Sequence, residues 1–235
     1  MGVAPLNAIV TGGAGALGVV VVRRFALAGV RVAVPVRHQA SGPGPESGGV
    51  TPGVLHVGAD LSDETAVSTF VGRVERELGP VDILVNLAGG YAGGASLEKV
   101  TVGEWDSMLS MNLRTAFLMT RAVVGGMKSR KFGRIVSIAA SAALAGGARR
   151  IPYAVSKAGV AALTRDLAVE LKGTGVTANA IAPSIILTDS NRRSMPTADV
   201  SAWVTPEEIA SAIEFFCSRE ARSVSGNILM MYGGV

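Results

Sequence analysis

A short apolar run, Leu6 to Val10, passes directly into TGGAGALG (Thr11 to Gly18) and then into an apolar helical pattern. Strand, glycine turn and helix in that order leave few folds open to a chain. Gly13, Gly15 and Gly18 satisfy G-x-G-x-x-G. The first glycine permits a tight turn, the second lets backbone approach a pyrophosphate, and the third lets the helix pack on the sheet. Free N–H groups at the helix start would then face phosphates. The spacing predicts a nucleotide-binding strand–turn–helix unit, against the plainer alternative of a glycine turn that binds nothing.

The rest of the chain alternates in the same way. Further strands are predicted at Arg31 to Val36, Val54 to Val57, Val81 to Asn86, Arg134 to Ile138, Val176 to Ala182 and Asn227 to Tyr232, with helices between them. Thr101 and Glu104 form a capping box, and Thr205 with Glu208 forms another that has Pro206 at the first helical position. This alternation implies an α/β fold: a single doubly wound domain of about seven parallel strands, helices on both faces and right-handed crossovers. A length of 235 residues suits one large domain over 1–235, and 49% apolar content is enough to bury strands on both faces. The stretch 38–53, rich in Gly, Pro and Ser, reads as a mobile loop at the sheet's edge, not a domain boundary. Pro35 inside the second strand fits an outer position.

Charge and cysteine usage narrow the function classes. The net charge is +4, but basic residues are scattered, with short pairs at Arg23-Arg24, Arg130-Lys131, Arg149-Arg150 and Arg192-Arg193 and no longer run, so nucleic-acid binding is not indicated. A modest positive balance suits an anionic cofactor. Cys217 is the sole cysteine, which rules out an internal disulfide and makes a reducing, cytoplasmic setting the expectation. No apolar run reaches membrane-spanning length, and no charged segment followed by a signal core opens the chain. No metal is expected.

Tyr153 and Lys157 stand four residues apart in IPYAVSKAGVAALTRDLAVEL, which reads as a long amphipathic helix. That spacing puts both side chains on one face, one turn apart. A cation beside a phenol favours the phenolate and lowers the tyrosine pKa from its usual ~10, making a general acid/base. The pair alone is a weak signal, since Y-x-x-x-K also marks many solvated helix faces.

Together these segments resemble the short-chain dehydrogenase/reductase family over nearly the whole chain. The glycine turn is Thr11 to Gly18, the acidic residue after the third strand is Asp60, and the Asn-x-Ala-Gly turn is Asn86 to Gly89. The helix asparagine is Asn112 in SMNLRTAF, the Tyr/Lys pair is Tyr153 and Lys157, and the loop after the sixth strand begins at Pro183. A late segment, Ser225 to Gly234, matches the closing strand. The resemblance implies a nicotinamide cofactor held by Gly12, Gly13, Gly15, Ala16, Leu17 and Gly18. Asp60, Leu61, Asn86, Ala88 and Gly89 would join them, followed by Tyr153, Lys157, Pro183, Ile186 and Thr188. It implies hydride transfer with Tyr153 delivering the proton and Lys157 lowering its pKa while bonding the nicotinamide ribose. Asn112 would hold a water linking Lys157 to solvent, and Thr188 would contact the carboxamide. It further implies a homodimer or homotetramer formed through the helices Thr101 to Arg130 and Tyr153 to Lys172. The small residues Ala154, Ala158, Ala161 and Ala162 allow such close approach.

One family feature is absent. The serine that donates to the substrate oxygen lies thirteen residues before the tyrosine, where this chain has Ala140. Ser141 is next to it and Ser137 lies inside the strand. On an extended segment Ser141 should point away unless the loop bulges, so Ser141 is a conditional catalytic candidate. Losing one such donor costs ~10²–10³ in rate. The loop Pro183 to Trp203, with its NRRSMPTADVSAW core, and the turn GGAGALG are also similar to quinonoid dihydropteridine reductases, which lack that serine and reduce a conjugated ring. Residues 184–204 would form a substrate lid.

Cofactor choice is readable at the second strand. NAD-preferring proteins place an acidic residue at its end. Here it ends at Val36 with Arg37 next, so no carboxylate repels a 2′-phosphate and a guanidinium is present to bind one. NADP(H) is expected over NAD(H). Three functions stand open: an NADP-dependent reductase of a small ketone or 3-oxoacyl compound, a pteridine-type reductase, and a cofactor-binding protein with catalysis weakened at Ala140. Intact Tyr153, Lys157 and Asn112 count against the third.

Overall fold

The computed structural model describes residues 5–36 and 53–234. Arg37 and nearly all of the 38–53 segment therefore lie outside the described residues. The first half comprises β1 (Asn7–Thr11), α1 (Ala16–Leu27), β2 (Arg31–Val36), β3 (Val54–Gly58), α2 (Glu64–Glu77), β4 (Ile83–Asn86), α3 (Val102–Leu109) and α4 (Thr115–Arg130). The second half comprises β5 (Gly133–Ile138), α5 (Ser141–Ala145), α6 (Ile151–Glu170), β6 (Val176–Pro183), α7 (Asp189–Ser194), α8 (Pro206–Cys217) and β7 (Ile228–Met231). Seven strands make one sheet in the order β3-β2-β1-β4-β5-β6-β7, and every pairing is parallel.

Alternation along the strands distributes the core to both faces. In β1, Ala8 and Val10 pack with Val21 and Phe25 of α1 and Ile209 and Ile213 of α8. Ile9, pointing the other way, packs with Phe70 and Val74 of α2 and Met119 and Met127 of α4. Both faces are apolar because parallel strands covered by helices expose neither side. Helix starts follow the sequence signals. Both capping boxes form, Thr101 with Glu104 and Thr205 with Glu208, and Asp63 accepts from the Ala66 N–H at 2.7 Å to start α2.

Two expectations need correction. Pro35 is not on an outer strand: β2 lies between β1 and β3. It is tolerated because the ladder to β1 ends at Ala33, so its missing N–H falls past the last of those pairings. The helix expected over Thr101 to Arg130 is not one α-helix either, since a π-helical turn, Ser110–Arg114, separates α3 from α4.

The chain leaves β1 in one direction to β2 and β3 and in the other to β4, so β1 and β4 flank the point where strand order reverses. A crevice opens there at the carboxyl ends of the strands. Gly12 (φ +66) sits in it with no room for a side chain, as a Cβ would lie 2.9 Å from the Ala88 nitrogen.

Candidate active site

Two adjoining cavities share Gly12 and Gly89 along this crevice. The smaller, about 370 Å³, is lined by Pro35, Ala59, Asp60, Leu61 and Ala88. The larger, about 770 Å³, runs from the glycine turn to the start of α6.

At the turn end the wall is backbone. Gly15 is the N-cap of α1, has no side-chain cap, and is followed by Ala16, Leu17 and Gly18 along the cavity. A Cβ on Gly18 would collide with the Gly12 carbonyl oxygen and lie 2.6 Å from the Gly13 Cα, whereas one on Gly15 would meet only the Gly12 oxygen at 3.3 Å. Gly18 thus seals helix to turn, and Gly15 keeps the first N–H groups of α1 accessible. That donor set, with no acidic residue in the first turn, fits a dinucleotide's pyrophosphate. Gly13 packs against Val34 instead of lining either cavity. Thr11 ties the turn to β4: its Oγ1 accepts from the Leu87 and Ala88 N–H groups, each at 3.0 Å. Asp60 lines the smaller cavity, and its Oδ1 accepts from the Ser62 N–H at 2.9 Å. Asn86 lines neither cavity. Its amide donates to Thr120 Oγ1 of α4 at 3.3 Å and to Ser137 Oγ of β5 at 3.2 Å, which also takes Ser137 away from any substrate role.

At the other end the wall is made of side chains. Tyr153 and Lys157 both line the large cavity from one face of α6. Lys157 is buried and donates from Nζ to the Ile138 carbonyl at 2.8 Å. Burial pushes its pKa down from 10.5 to about 8. Tyr153 meets Tyr91 edge to face, with centroids 4.9 Å apart at 73°. Burial pushes the Tyr153 phenol above its ordinary value, Tyr91 adds to that rise, and the Arg150 guanidinium opposes it. The four-residue spacing points to Lys157 for that pull; in the folded chain Arg150 exerts it, and Lys157 faces a carbonyl.

Asn112 sits in the π-helical turn, a distortion common at functional sites. Its Oδ1 accepts from the Gly90 N–H at 2.9 Å, and its Nδ2 donates to the Gly90 carbonyl at 3.1 Å and to Ser156 Oγ at 3.0 Å. The side chain thereby clamps the loop after β4 onto α6. A Cβ on Gly89 would lie 2.5 Å from Asn112 Oδ1 and 3.3 Å from Lys157 Nζ, so three elements converge there.

Beyond β5 the chain departs from the alternation assumed above. Ala140 is extended (φ −156, ψ 137), but Ser141 already begins α5. The premise that turned Ser141 away therefore lapses: Ser141 is buried, lines the large cavity beside Ala140, and makes no hydrogen bond through its hydroxyl among the described residues. Pro183, Ile186 and Thr188 line the same cavity. Thr188 also caps α7 by accepting from the Asn191 N–H at 3.2 Å. Met195 joins the lining, while Trp203 is buried at the end of that segment. Sequence reasoning assigned no site role to Thr11, Tyr91 or Arg150. Thr11 carried a signal as the first residue of the glycine turn and Arg150 as half of a basic pair, whereas Tyr91 carried none.

The short chain dehydrogenase family profile matches residues 6–199. Three relatives extend the match over almost the whole chain. A (2S)-[(R)-hydroxy(phenyl)methyl]succinyl-CoA dehydrogenase subunit, BbsD, of Thauera aromatica is 35% identical over 249 residues, covering 100% of this chain and 98% of its own. An acetoacetyl-CoA reductase of Shinella zoogloeoides is 33% identical and covers 97% of both chains. The 3-oxoacyl-[acyl-carrier-protein] reductase MabA of Mycobacterium tuberculosis is 32% identical, covering 97% of this chain and 92% of its own. The chain belongs to the short-chain dehydrogenase/reductase family and is an NAD(P)-dependent oxidoreductase.

Proposed function

We propose that this protein is an NADP-dependent reductase of a small carbonyl substrate of the 3-oxoacyl thioester type, with Tyr153 as general acid. The observation that carries the reading is the single cavity of about 770 Å³ joining the glycine turn to Tyr153 and Lys157, large enough for a nicotinamide and an acyl chain together. The substrate class is supported by the relatives, whose names specify acetoacetyl-CoA, 3-oxoacyl carrier-protein and substituted succinyl-CoA chemistry.

The backbone of Gly15 to Gly18 would hold the pyrophosphate, Asp60 and Leu61 the adenine end, and Pro183, Ile186 and Thr188 the nicotinamide end. Arg37, after a strand that ends without a carboxylate, favours the 2′-phosphate of NADP. When bound, the dihydronicotinamide supplies a hydride. The chain's own groups do the rest. Tyr153, kept protonated by burial, delivers a proton to the substrate oxygen. Ser141 donates a hydrogen bond to that oxygen in place of the family serine. Lys157, anchored on the Ile138 carbonyl, keeps a positive charge in the same cavity wall, and Asn112 fixes the loop beside it. Residues 184–204 serve as the lid.

A homodimer or homotetramer through α4 and α6 is part of the reading, supported by the exposed apolar side chains Phe117, Val155 and Val169 on those helices. Light scattering that found only monomer at micromolar concentration would remove that part. The function itself is tested by following NADPH oxidation with 3-oxoacyl thioesters, simple ketones and quinonoid dihydropterin side by side. Thioesters should be turned over with the highest kcat/KM, and NADH should support less. Turnover of dihydropterin alone would replace the thioester reading with the pteridine one.

A further inference from the structure

We propose that Arg150 binds an anionic group on the acyl part of the substrate, so that the preferred substrates carry a free carboxylate. The proposal rests on the reductase reading of the same cavity. Among the described residues lining that cavity only Arg150 and Lys157 are charged, and none is acidic. Lys157 is committed to the Ile138 carbonyl. Arg150 has no carboxylate partner among the described residues. Its Nη2 donates to the Gly146 carbonyl at 2.6 Å and the Ala142 carbonyl at 3.3 Å, while its Nε is buried without a partner. A guanidinium with no counterion, set in a cavity wall and with only Nη2 engaged by carbonyls, is arranged for a ligand that brings the charge.

The surroundings hold it there. Gly147 leaves the space the guanidinium occupies, since a Cβ at that position would lie 2.6 Å from Arg150 Nε and closer still to Nη2. The preceding residue, Arg149, adopts a left-handed backbone (φ +58), a conformation that costs a non-glycine residue energy and is kept where the surroundings require it. The Arg149 carbonyl accepts from the Gly94 N–H at 2.7 Å, which fastens this corner to the loop carrying Tyr91. Arg150 is the N-cap of α6 and Tyr153 lies three residues on, so the two neighbour each other on one face. An anion at Arg150 would therefore sit beside the reacting carbonyl, near the positive end of a 20-residue helix. In the same cavity Tyr91, Ala140, Ile185 and Met195 offer mainly apolar surface, which suits the carbon chain between carbonyl and carboxylate. A planar guanidinium fork matches a carboxylate better than any other cationic side chain does.

The test compares two N-acetylcysteamine thioesters, 3-oxohexanoyl and 3-oxoadipyl, which differ in a terminal carboxylate and carry no phosphate. In wild type, kcat/KM should favour the carboxylate-bearing thioester. In Arg150→Ala that preference should fall by about tenfold or more, the worth of one charged hydrogen bond, and Arg150→Lys should restore part of it. A preference that survives Arg150→Ala would overturn the proposal, leaving Arg150 as a clamp on α5. The same pair as coenzyme A thioesters separates the sources of charge: an Arg150 effect that follows the carrier's phosphates and ignores the acyl carboxylate also overturns it. Calorimetric titration of the NADP⁺ complex with the unreactive hexanoyl and adipyl thioesters decides the matter independently of turnover. If wild type reduces neither thioester, the reductase reading fails, while an Arg150-dependent preference for adipyl would still uphold the anion site.

Discussion

The two ends of the large cavity are built from different material. At the glycine turn the wall is backbone, and contact distances fix the residue identities: Gly12 and Gly18 have main-chain atoms where a Cβ would stand. At the α6 end the wall is side chains held by other side chains, with Asn112 gripping Gly90 and Ser156, Lys157 reaching Ile138, and Tyr153 leaning on Tyr91. A backbone site has essentially one solution in sequence, because only glycine fits. A side-chain site can pass a task to a neighbour, as proposed here for Ala140 and Ser141. The cofactor end should therefore fail through shape, and the catalytic end through the loss of particular functional groups.

The largest effect should come from the catalytic end. Tyr153→Phe removes the hydroxyl proposed as proton donor with little change of shape, so turnover should drop by ~10²–10⁴ while NADPH binding, followed by fluorescence titration, stays close to wild type. Turnover retained in that variant would end the mechanism and leave only nucleotide binding. At the cofactor end, Gly18→Ala forces a methyl against the Gly12 carbonyl and should cost about 3 kcal/mol of stability in denaturant unfolding, with cofactor binding lost. Gly15→Ala has only the Gly12 oxygen at 3.3 Å to displace, so it should fold well and still weaken NADPH. Equal destabilisation by both variants would break the contrast drawn between a sealing glycine and a lining one.

The same division explains what was readable beforehand. All seven strands fall within two residues of the positions expected from apolar runs, because burial on both faces of a parallel sheet leaves a strong local pattern. The glycine turn and the Tyr/Lys pair were legible for a similar reason, each being a short-range constraint. The π-helical turn at Asn112 was not, since an extra residue in a helical turn has no signature in composition. The start of α5 at Ser141 was missed because the alternation argument extended the strand past Ile138. Tyr91 and Arg150 owe their places to contacts with Tyr153 and with the α5 carbonyls, which no local pattern encodes. Asn86 carried a family signal, yet its side chain is buried between the sheet and α4, against Ser137 and Thr120.

A pH effect of intermediate size belongs to Lys157. Its pKa falls from 10.5 to about 8 on folding, through burial. Between those values the unfolded chain binds more protons than the folded one, so the Lys157 contribution makes stability rise with pH across that window. Below about 8 the buried ammonium is a cost in full, and above 10.5 the cost is gone. Lys157→Met removes the charge at every pH. The stability difference between variant and wild type should thus shift toward wild type from pH 8 to 10.5, by on the order of 2–3 kcal/mol. A difference independent of pH, measured by urea unfolding at matched ionic strength, would mean that Lys157 keeps its proton through contacts such as that to Ile138.

The smallest effect tests whether a side-chain site has in fact moved its donor by one residue. Ala140 is the last extended residue and nearly fully buried, and Ser141 opens α5 with a hydroxyl free of hydrogen bonds among the described residues. If that hydroxyl serves the substrate oxygen, Ser141→Ala should lower kcat for 3-oxoacyl thioesters by at least about tenfold, toward the ~10² of a lost oxyanion donor. KM should change less, because the bond strengthens as charge develops on the oxygen. Ala140→Ser should then add little, since the donor's task is already filled. The reverse pattern, a silent Ser141→Ala with a faster Ala140→Ser, would place the vacancy at Ala140 and make this enzyme one that works without a second donor. In that case the pull of Arg150 on Tyr153 becomes the remaining electrostatic aid at the catalytic end, and Arg150→Ala in the Ala140→Ser background should cost less than it does alone.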